Sequence, residues 1–329
     1  MNRPSSGARS VIIGIACGIG AAICWACGFT AARHGIAIGL SPFDIAFHRY
    51  AWAGLVFLPS VLRAGARDLG GIGWGRGPAL ALLGGPGQAV ISAAGFLVVP
   101  LGHGGVIQPS CAVLGGVLLA TIVLGERLPA VRACGALIIV GGVVVIGHEA
   151  LITIGASGLA GDFSFALAGL MFATFGTLLR MWRINPKRAT AVISALTLLY
   201  VPVHATIFGF ERMIAAGWFE NAVQVAVQGV FSGPLAIYLF ARSVMLLGAS
   251  RAAIFAALVP AATLMVGFLA LGETASMAQV GGLAIVLVGF HLPTVDFSLQ
   301  VMAPRIKSSC QKRGWSPPQP PMRLMTPAV

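Results

Sequence analysis

The sequence predicts an all-α integral membrane protein with ten transmembrane helices arranged as two inverted five-helix repeats. Three observations predict it: composition, self-similarity at a fixed shift, and the placement of basic residues. Of the 329 residues, 57% are hydrophobic and 9% charged, against about 25% charged in a soluble domain. Such a chain has too little polar surface to cover itself in water. Its net charge of +12 would suggest nucleic acid in a soluble protein. Here the basic residues lie between apolar runs and act as topology signals, so no nucleic-acid partner is expected.

The second observation is a pattern that recurs 147 positions later. Trp25, Ala26, Thr30 and Arg33 align with Phe172, Ala173, Thr177 and Arg180. Leu124-Gly125-Glu126 aligns with Leu271-Gly272-Glu273, and Gly135, Ile138 and Gly142 with Gly282, Ile285 and Gly289. Gly85-Pro86 and Gly233-Pro234 also match, with the register slipped by one. A duplicated hydrophobic unit is a common construction for secondary transporters.

Apolar stretches of the length a bilayer needs, about 20 residues, occur near 11–32, 44–62, 79–99, 104–125, 131–147, 161–179, 189–209, 222–241, 250–271 and 277–292. The first follows Arg3 and Arg9, but it is longer than a signal-peptide core and more spans follow, so it is expected to be retained. With the N-terminus in the cytoplasm, eighteen Lys and Arg fall on the cytoplasmic side and three, Arg33, Arg49 and Arg212, on the other. That bias supports the count of ten. Five helices per copy is an odd number, so the second copy must enter the membrane upside down. The expected organisation is a cytoplasmic segment 1–10, a repeat 11–147, a linker 148–160, a second repeat 161–292 and a basic, disordered cytoplasmic tail 293–329 that can touch anionic lipid.

Within the spans, Asp44, Asp162, Glu126 and Glu273 are placed at helix ends, so no carboxylate relay is visible mid-membrane. Glu126 and Glu273 are expected to be structural, bonded to loop backbone or a nearby basic group. Gln224, Gln228 and Ser232 share a helix face, as do Gln88 and Ser92, and Gln108 and Ser110 flank Pro109. An amide in hydrocarbon needs partners. Those partners are either other helices or the contents of a water-accessible cavity. Interrupted helices, here at Gly85-Pro86, Pro109, Gly233-Pro234 and Pro260, point to a transporter site. Trp25 and Phe29, one turn apart, and Phe172 are candidate cavity walls. His204 is the plausible titrating group within the membrane, with Tyr200 on its face. The glycine pairs of the fifth and tenth spans serve close packing, either with each other or at a homodimer contact. Five of the six cysteines lie in apolar runs and are read as packing, with no metal and no cofactor expected.

The run from Ser232 through Tyr238 to Ala249-Ser250-Arg251-Ala252-Ala253, then Pro260 and Leu271-Gly272-Glu273, resembles an EamA domain. Gly104 through Pro109 to Leu124-Gly125-Glu126-Arg127-Leu128 resembles the matching end of another, and Trp25, Arg33, Ser41-Pro42 and Arg49 its opening. The chain thus resembles the EamA family of the drug/metabolite transporter superfamily over most of residues 11–292. The resemblance implies a bacterial inner-membrane protein working by alternating access, commonly exporting amino acids, related metabolites or drugs. It implies a cavity lined by spans 1, 3, 4, 6, 8 and 9. The substrate-binding candidates Trp25, Phe29, Gln88, Ser92, Gln108, Ser110, Phe172, Gln228 and Ser232 fall on those spans. The rival readings are a non-transporting scaffold or sensor, which lacks a sizeable soluble module here, and an intramembrane enzyme, for which no HExxH or GxSxG exists. No catalytic residue is assigned.

Overall fold

The computed structural model describes residues 6–247 and 255–292. The tail 293–329 expected above lies outside them. Every regular element among the described residues is helical. In chain order these are α1 (Ser6–Ala37), α2 (Pro42–Gly65), α3 (Arg76–Gly84), α4 (Pro86–Gly95), α5 (Leu101–Ile122), α6 (Ala130–Thr153) and α7 (Ala156–Met181). Then follow α8, which starts at Pro186 and runs on to Phe208, α9 (Glu211–Leu247), α10 (Phe255–Leu271) and α11 (Met277–Leu292).

Among the described residues, six helices are long and apolar enough to cross a membrane: Arg9–Ala37, α5, α6, α7, Ala191–Phe208 and α9. A seventh crossing exists if the two parts of α2, Pro42–Leu55 and Phe57–Arg63, count as one span bent by 46°. Pro59 accounts for the bend: its ring displaces the carbonyl four residues back, where the helix breaks. The helices α10 and α11 are apolar but shorter. The expected third span is divided into α3 and α4 at Gly85, whose angles (φ −120°, ψ −142°) leave the helix. A Cβ at Gly85 would collide with the Ala81 carbonyl oxygen, and Pro86 then opens α4 at its first position. The expected linker 148–160 is almost wholly helical, since α6 ends at Thr153 and α7 starts at Ala156.

Helix α9 changes character midway. Val225–Leu235 is an eleven-residue π-helical run holding Gln228, Ser232 and Pro234. Such widened turns are uncommon and concentrate at functional sites.

The packing repeats the sequence shift. Gly142 lies against the Gly282 carbonyl, where an added Cβ would sit 2.7 Å away, and Gly289 lies against the Gly135 carbonyl at the same 2.7 Å. The helices α6 and α11 therefore run antiparallel, and adding 147 to one partner and subtracting it from the other converts either contact into the other. The glycines expected to pack closely thus pair within the chain. Gly28 is covered by Ser232, and Gly84 by Phe175. These are the same pair of positions in the two copies, with the large and small side chains exchanged.

The helices α1, α9 and α10 pack together, as do α5 with α7 and α2 with α8. Gly161 of α7 touches Val99, just before α5, so the first turns of α5 and α7 share one end of the bundle. That end also holds Glu273, Arg33 and Phe96. The larger hydrophobic core lies toward it, with Ile36, Phe96, Leu101, Val106, Phe165 and Val286 at 9% exposure or less. The opposite end holds Glu126 and Arg180. By helix rise along α5 the two ends are about 33 Å apart.

Candidate functional site

The Leu-Gly-Glu motifs shape both ends. Gly125 and Gly272 both adopt φ 67°, the left-handed conformation that ends a helix and turns the chain. Each turn presents its glutamate to an arginine from the other copy. Arg33 Nε donates to Glu273 Oε1 at 2.7 Å, and Arg180 bonds Glu126 at the other end. The two ion pairs are images of one another under the 147-residue shift. Their surroundings differ. The Arg33 and Glu273 side chains are 26% and 28% exposed, those of Arg180 and Glu126 59% and 38%. Glu273 Oε2 also accepts from the Leu101 backbone N–H at 3.0 Å, and Arg33 Nη1 donates to the Phe96 carbonyl at 3.1 Å. Beneath this network the rings of Phe29, Phe96 and Phe165 form a plug, with centroids 6.5 Å and 4.8 Å apart. Both glutamates thus have a basic partner, and Glu273 has a backbone partner as well.

Toward mid-bundle, the amide face of α9 is bonded to α1. Gln224 Nε2 donates to the Ala31 carbonyl at 2.7 Å and Gln228 Nε2 to the Gly28 carbonyl at 2.8 Å. Ser232 seats on Gly28, and all three side chains are buried. Ser92 Oγ donates to Gln108 Oε1 at 2.5 Å, joining α4 to α5. Ser110 Oγ returns to the Val106 carbonyl of its own helix at 2.7 Å, the turn that Pro109 deprives of a backbone donor. Gln88 is buried on α4. Trp25 packs on Phe240 at 5.4 Å. Phe29 joins the plug, one residue from Gly28. Phe172 stands apart from the other candidates: half exposed, it touches Phe175 at 5.9 Å. The structure therefore brings Gln228 and Ser232 together on α1 and Ser92 and Gln108 together between α4 and α5.

Several further polar contacts fill in or add to the sequence pattern. Arg49, assigned above to the outer boundary of its span, reaches Gln228 Oε1 at 3.4 Å. It is half buried, and no carboxylate pairs with it among the described residues. Next to it, Tyr50 Oη donates to the Gly84 carbonyl, at the break between α3 and α4. His48, 1% exposed, meets Asn221 Oδ1 at 3.0 Å. His204 is buried with Asp44 Oδ1 at 3.2 Å, while the other Asp44 oxygen caps α2 through the backbone N–H and hydroxyl of Ser41. Finally, His103, Asp162 and Glu149 meet at the start of α5. Each of these residues reads alone as a helix-end polar group. Only the docking of α5, α6 and α7 makes them neighbours.

Comparison with known proteins gives the same architecture. A solved crystal structure with 18% sequence identity superposes with a TM-score of 0.58, covering 88% of this chain and 97% of that one. An uncharacterized transporter of Archaeoglobus fulgidus is 28% identical over 273 residues, which is 82% of this chain and 94% of that protein. The EamA-like transporter family matches residues 12–147 and again residues 159–293. The chain is a multi-pass membrane protein that belongs to the EamA-like transporter family.

Proposed function

We propose that the chain is a ten-span exporter of a small metabolite, an amino acid or related compound, working by alternating access between two inverted repeats in a bacterial inner membrane with both termini cytoplasmic. The observation that carries this reading is the exchange of Arg33–Glu273 with Arg180–Glu126 under the 147-residue shift. Two equivalent latches at opposite ends of one bundle are what a transporter needs to open one side at a time. The antiparallel glycine contacts of α6 and α11 support the inversion. The broken α3–α4 segment, the bent α2 and the short α10 and α11 make up the crossings beyond the six long helices. The excess of basic residues places the Glu273 end away from the cytoplasm. In this conformation that end is shut by the plug and the more buried latch.

The substrate path runs between α1, α4, α5 and α9. A cation without a counter-ion at membrane depth is costly and marks a functional site. Arg49 is that cation, and it receives the substrate carboxylate. Gln228, Ser232 and the Ser92–Gln108 pair bond the remaining polar groups once they exchange their present partners, and Trp25 and Phe29 contact the apolar part. Ser110 lines the path on α5, with Gln88 beside the α3–α4 break, while Phe172 on α7 stands outside it.

The test is transport of radiolabelled amino acids and related carboxylates in everted membrane vesicles. Arg49→Gln is expected to lower transport at least about tenfold, the cost of one lost charge-assisted hydrogen bond, with Arg49→Lys retaining part of it. Gln228→Leu is expected to lower it comparably at unchanged expression. Absence of any solute movement, or variants that match the parent, would overturn the reading.

A further inference from the structure

Three titratable side chains from three helices converge at the Glu273 end. His103 lies in the first turn of α5, Glu149 in the last two turns of α6 and Asp162 in the second turn of α7. His103 Nδ1 is 2.8 Å from Asp162 Oδ1, and His103 Nε2 is 3.8 Å from Glu149 Oε2. The His103 side chain is 2% exposed, that of Asp162 9% and that of Glu149 17%. Asp162 Oδ2 and Glu149 Oε2 are both buried and have no hydrogen-bond partner. No lysine or arginine pairs with the cluster among the described residues. Arg33, the arginine that joins the α5 start through Glu273, is committed to Glu273 and Phe96. Helix α5 contributes no second charge, the neighbouring His148 of α6 is exposed, and Gln279, against Gly102, is neutral.

Charge decides what this arrangement holds. A neutral imidazole with two carboxylates would bury two negative charges side by side, and an imidazolium would leave one. A buried unpaired charge is among the costliest features a fold can carry. An imidazolium together with one carboxyl proton makes the cluster neutral. It also removes the bare charge from the oxygens that lack donors.

We propose that His103, Asp162 and Glu149 form a proton-binding site that is loaded when the Glu273 end is closed and unloads to water on that side when it opens. This deepens the transporter reading and rests on it, by naming a protonation step that sets how readily the Glu273 end opens. The link to the latch is short. Two residues before His103, the Leu101 N–H holds Glu273, so a shift of the α5 start moves the proton site and the latch together. Opening admits water to the carboxylates, the carboxyl proton and the imidazolium proton pass to that water, and the two anions become solvated. By linkage, protons drawn from that side favour closure to the same extent. In an exporter, a low pH on that side then favours the return stroke after substrate release.

The experiment needs no substrate, so its failure is distinct from failure of the transport assay. In the full chain with its native cysteines replaced by serine, Ala93→Cys places a thiol in the core beneath Phe96, where Ala93 is 2% exposed. Labelling by a membrane-impermeant maleimide is measured from acid to alkaline pH. It is normalised to Thr274→Cys, an exposed position at the same end, which removes the pH dependence of thiol chemistry. The normalised rate is expected to rise at least about tenfold toward alkaline pH, and Asp162→Asn and Glu149→Gln are expected to abolish the rise. His34→Gln is the control for the His34–Glu220 pair at the same end, and the rise should survive it. Infrared difference spectra of the unsubstituted protein provide a check independent of variant folding. A protonated-carboxyl band should vanish on alkalinisation, and Glu149→Gln or Asp162→Asn should remove it. A flat normalised rate, a rise that persists in both cluster variants, a rise lost in His34→Gln, or the absence of a carboxyl band would each sink the assignment.

Discussion

Glu273→Gln is expected to open the bundle at the end it now helps to close, and Glu126→Gln is expected to do little. Glu273 accepts two bonds, from Arg33 Nε and the Leu101 N–H, in a half-buried setting. Removing its charge weakens both, by about 2 kcal/mol together, which shifts an open–closed equilibrium roughly thirtyfold. The Glu126 pair is more exposed, at 59% and 38%. An exposed pair is worth about 1 kcal/mol or less. Labelling of Ala93→Cys from the Glu273 side reads the difference directly. The charge exchange Arg33→Glu with Glu273→Arg should recover part of the closure, because it restores the attraction while altering its geometry. Equal labelling in Glu273→Gln and Glu126→Gln would show that the latches are not what holds the conformation.

A second large effect is expected between neighbouring glycines. At Gly142 an added Cβ meets the Gly282 carbonyl oxygen and Val286 Cγ2, each at 2.7 Å. A backbone oxygen cannot turn aside as a flexible side chain would, so α6 and α11 must separate. Overpacking of this kind typically costs about 1–3 kcal/mol, and valine adds two further methyl groups to the clash. Gly142→Val and Gly289→Val are expected to lower the thermal midpoint in detergent strongly and to reduce the yield of folded protein. Gly141→Val and Gly281→Val, beside the contact glycines Gly142 and Gly282, have nothing within 4 Å of the new Cβ and are expected to behave like the parent. Fluorescence-detected size exclusion after a temperature ramp distinguishes them. A similar loss in both sets would mean that the glycines serve helix insertion rather than the α6–α11 contact.

The sequence made the duplicated motifs legible but not their partners. Aligning the copies sets Arg33 against Arg180 and Glu126 against Glu273, which are equivalent positions. The contacts lie across the copies, between Arg33 and Glu273 and between Arg180 and Glu126, and only the docking of the helices joins them. Span length was harder to read. Charge alternation predicts ten crossings, whereas among the described residues six helices, or seven with the bent α2, are long and apolar enough to cross; Gly85-Pro86 splits one expected span, and α10 and α11 are short. The polar face of Gln224, Gln228 and Ser232 followed from spacing, and the structure bonds its amides to α1. Arg49 was hidden by its place near a span boundary: a long side chain reaches mid-bundle from there, and periodicity marks only where a backbone lies. The His103 cluster was hidden for a related reason. Its three members come from three helices and share no spacing.

The exchanged pair at Gly28–Ser232 and Gly84–Phe175 bears on how freely the two copies can now be recombined. A protein assembled from two first halves would face Gly84 with Gly28 and leave a hole where a phenylalanine ring belongs. One assembled from two second halves would press Ser232 into Phe175. Each copy has become the mould of the other, so neither can serve as its own mate, and the gene must keep both.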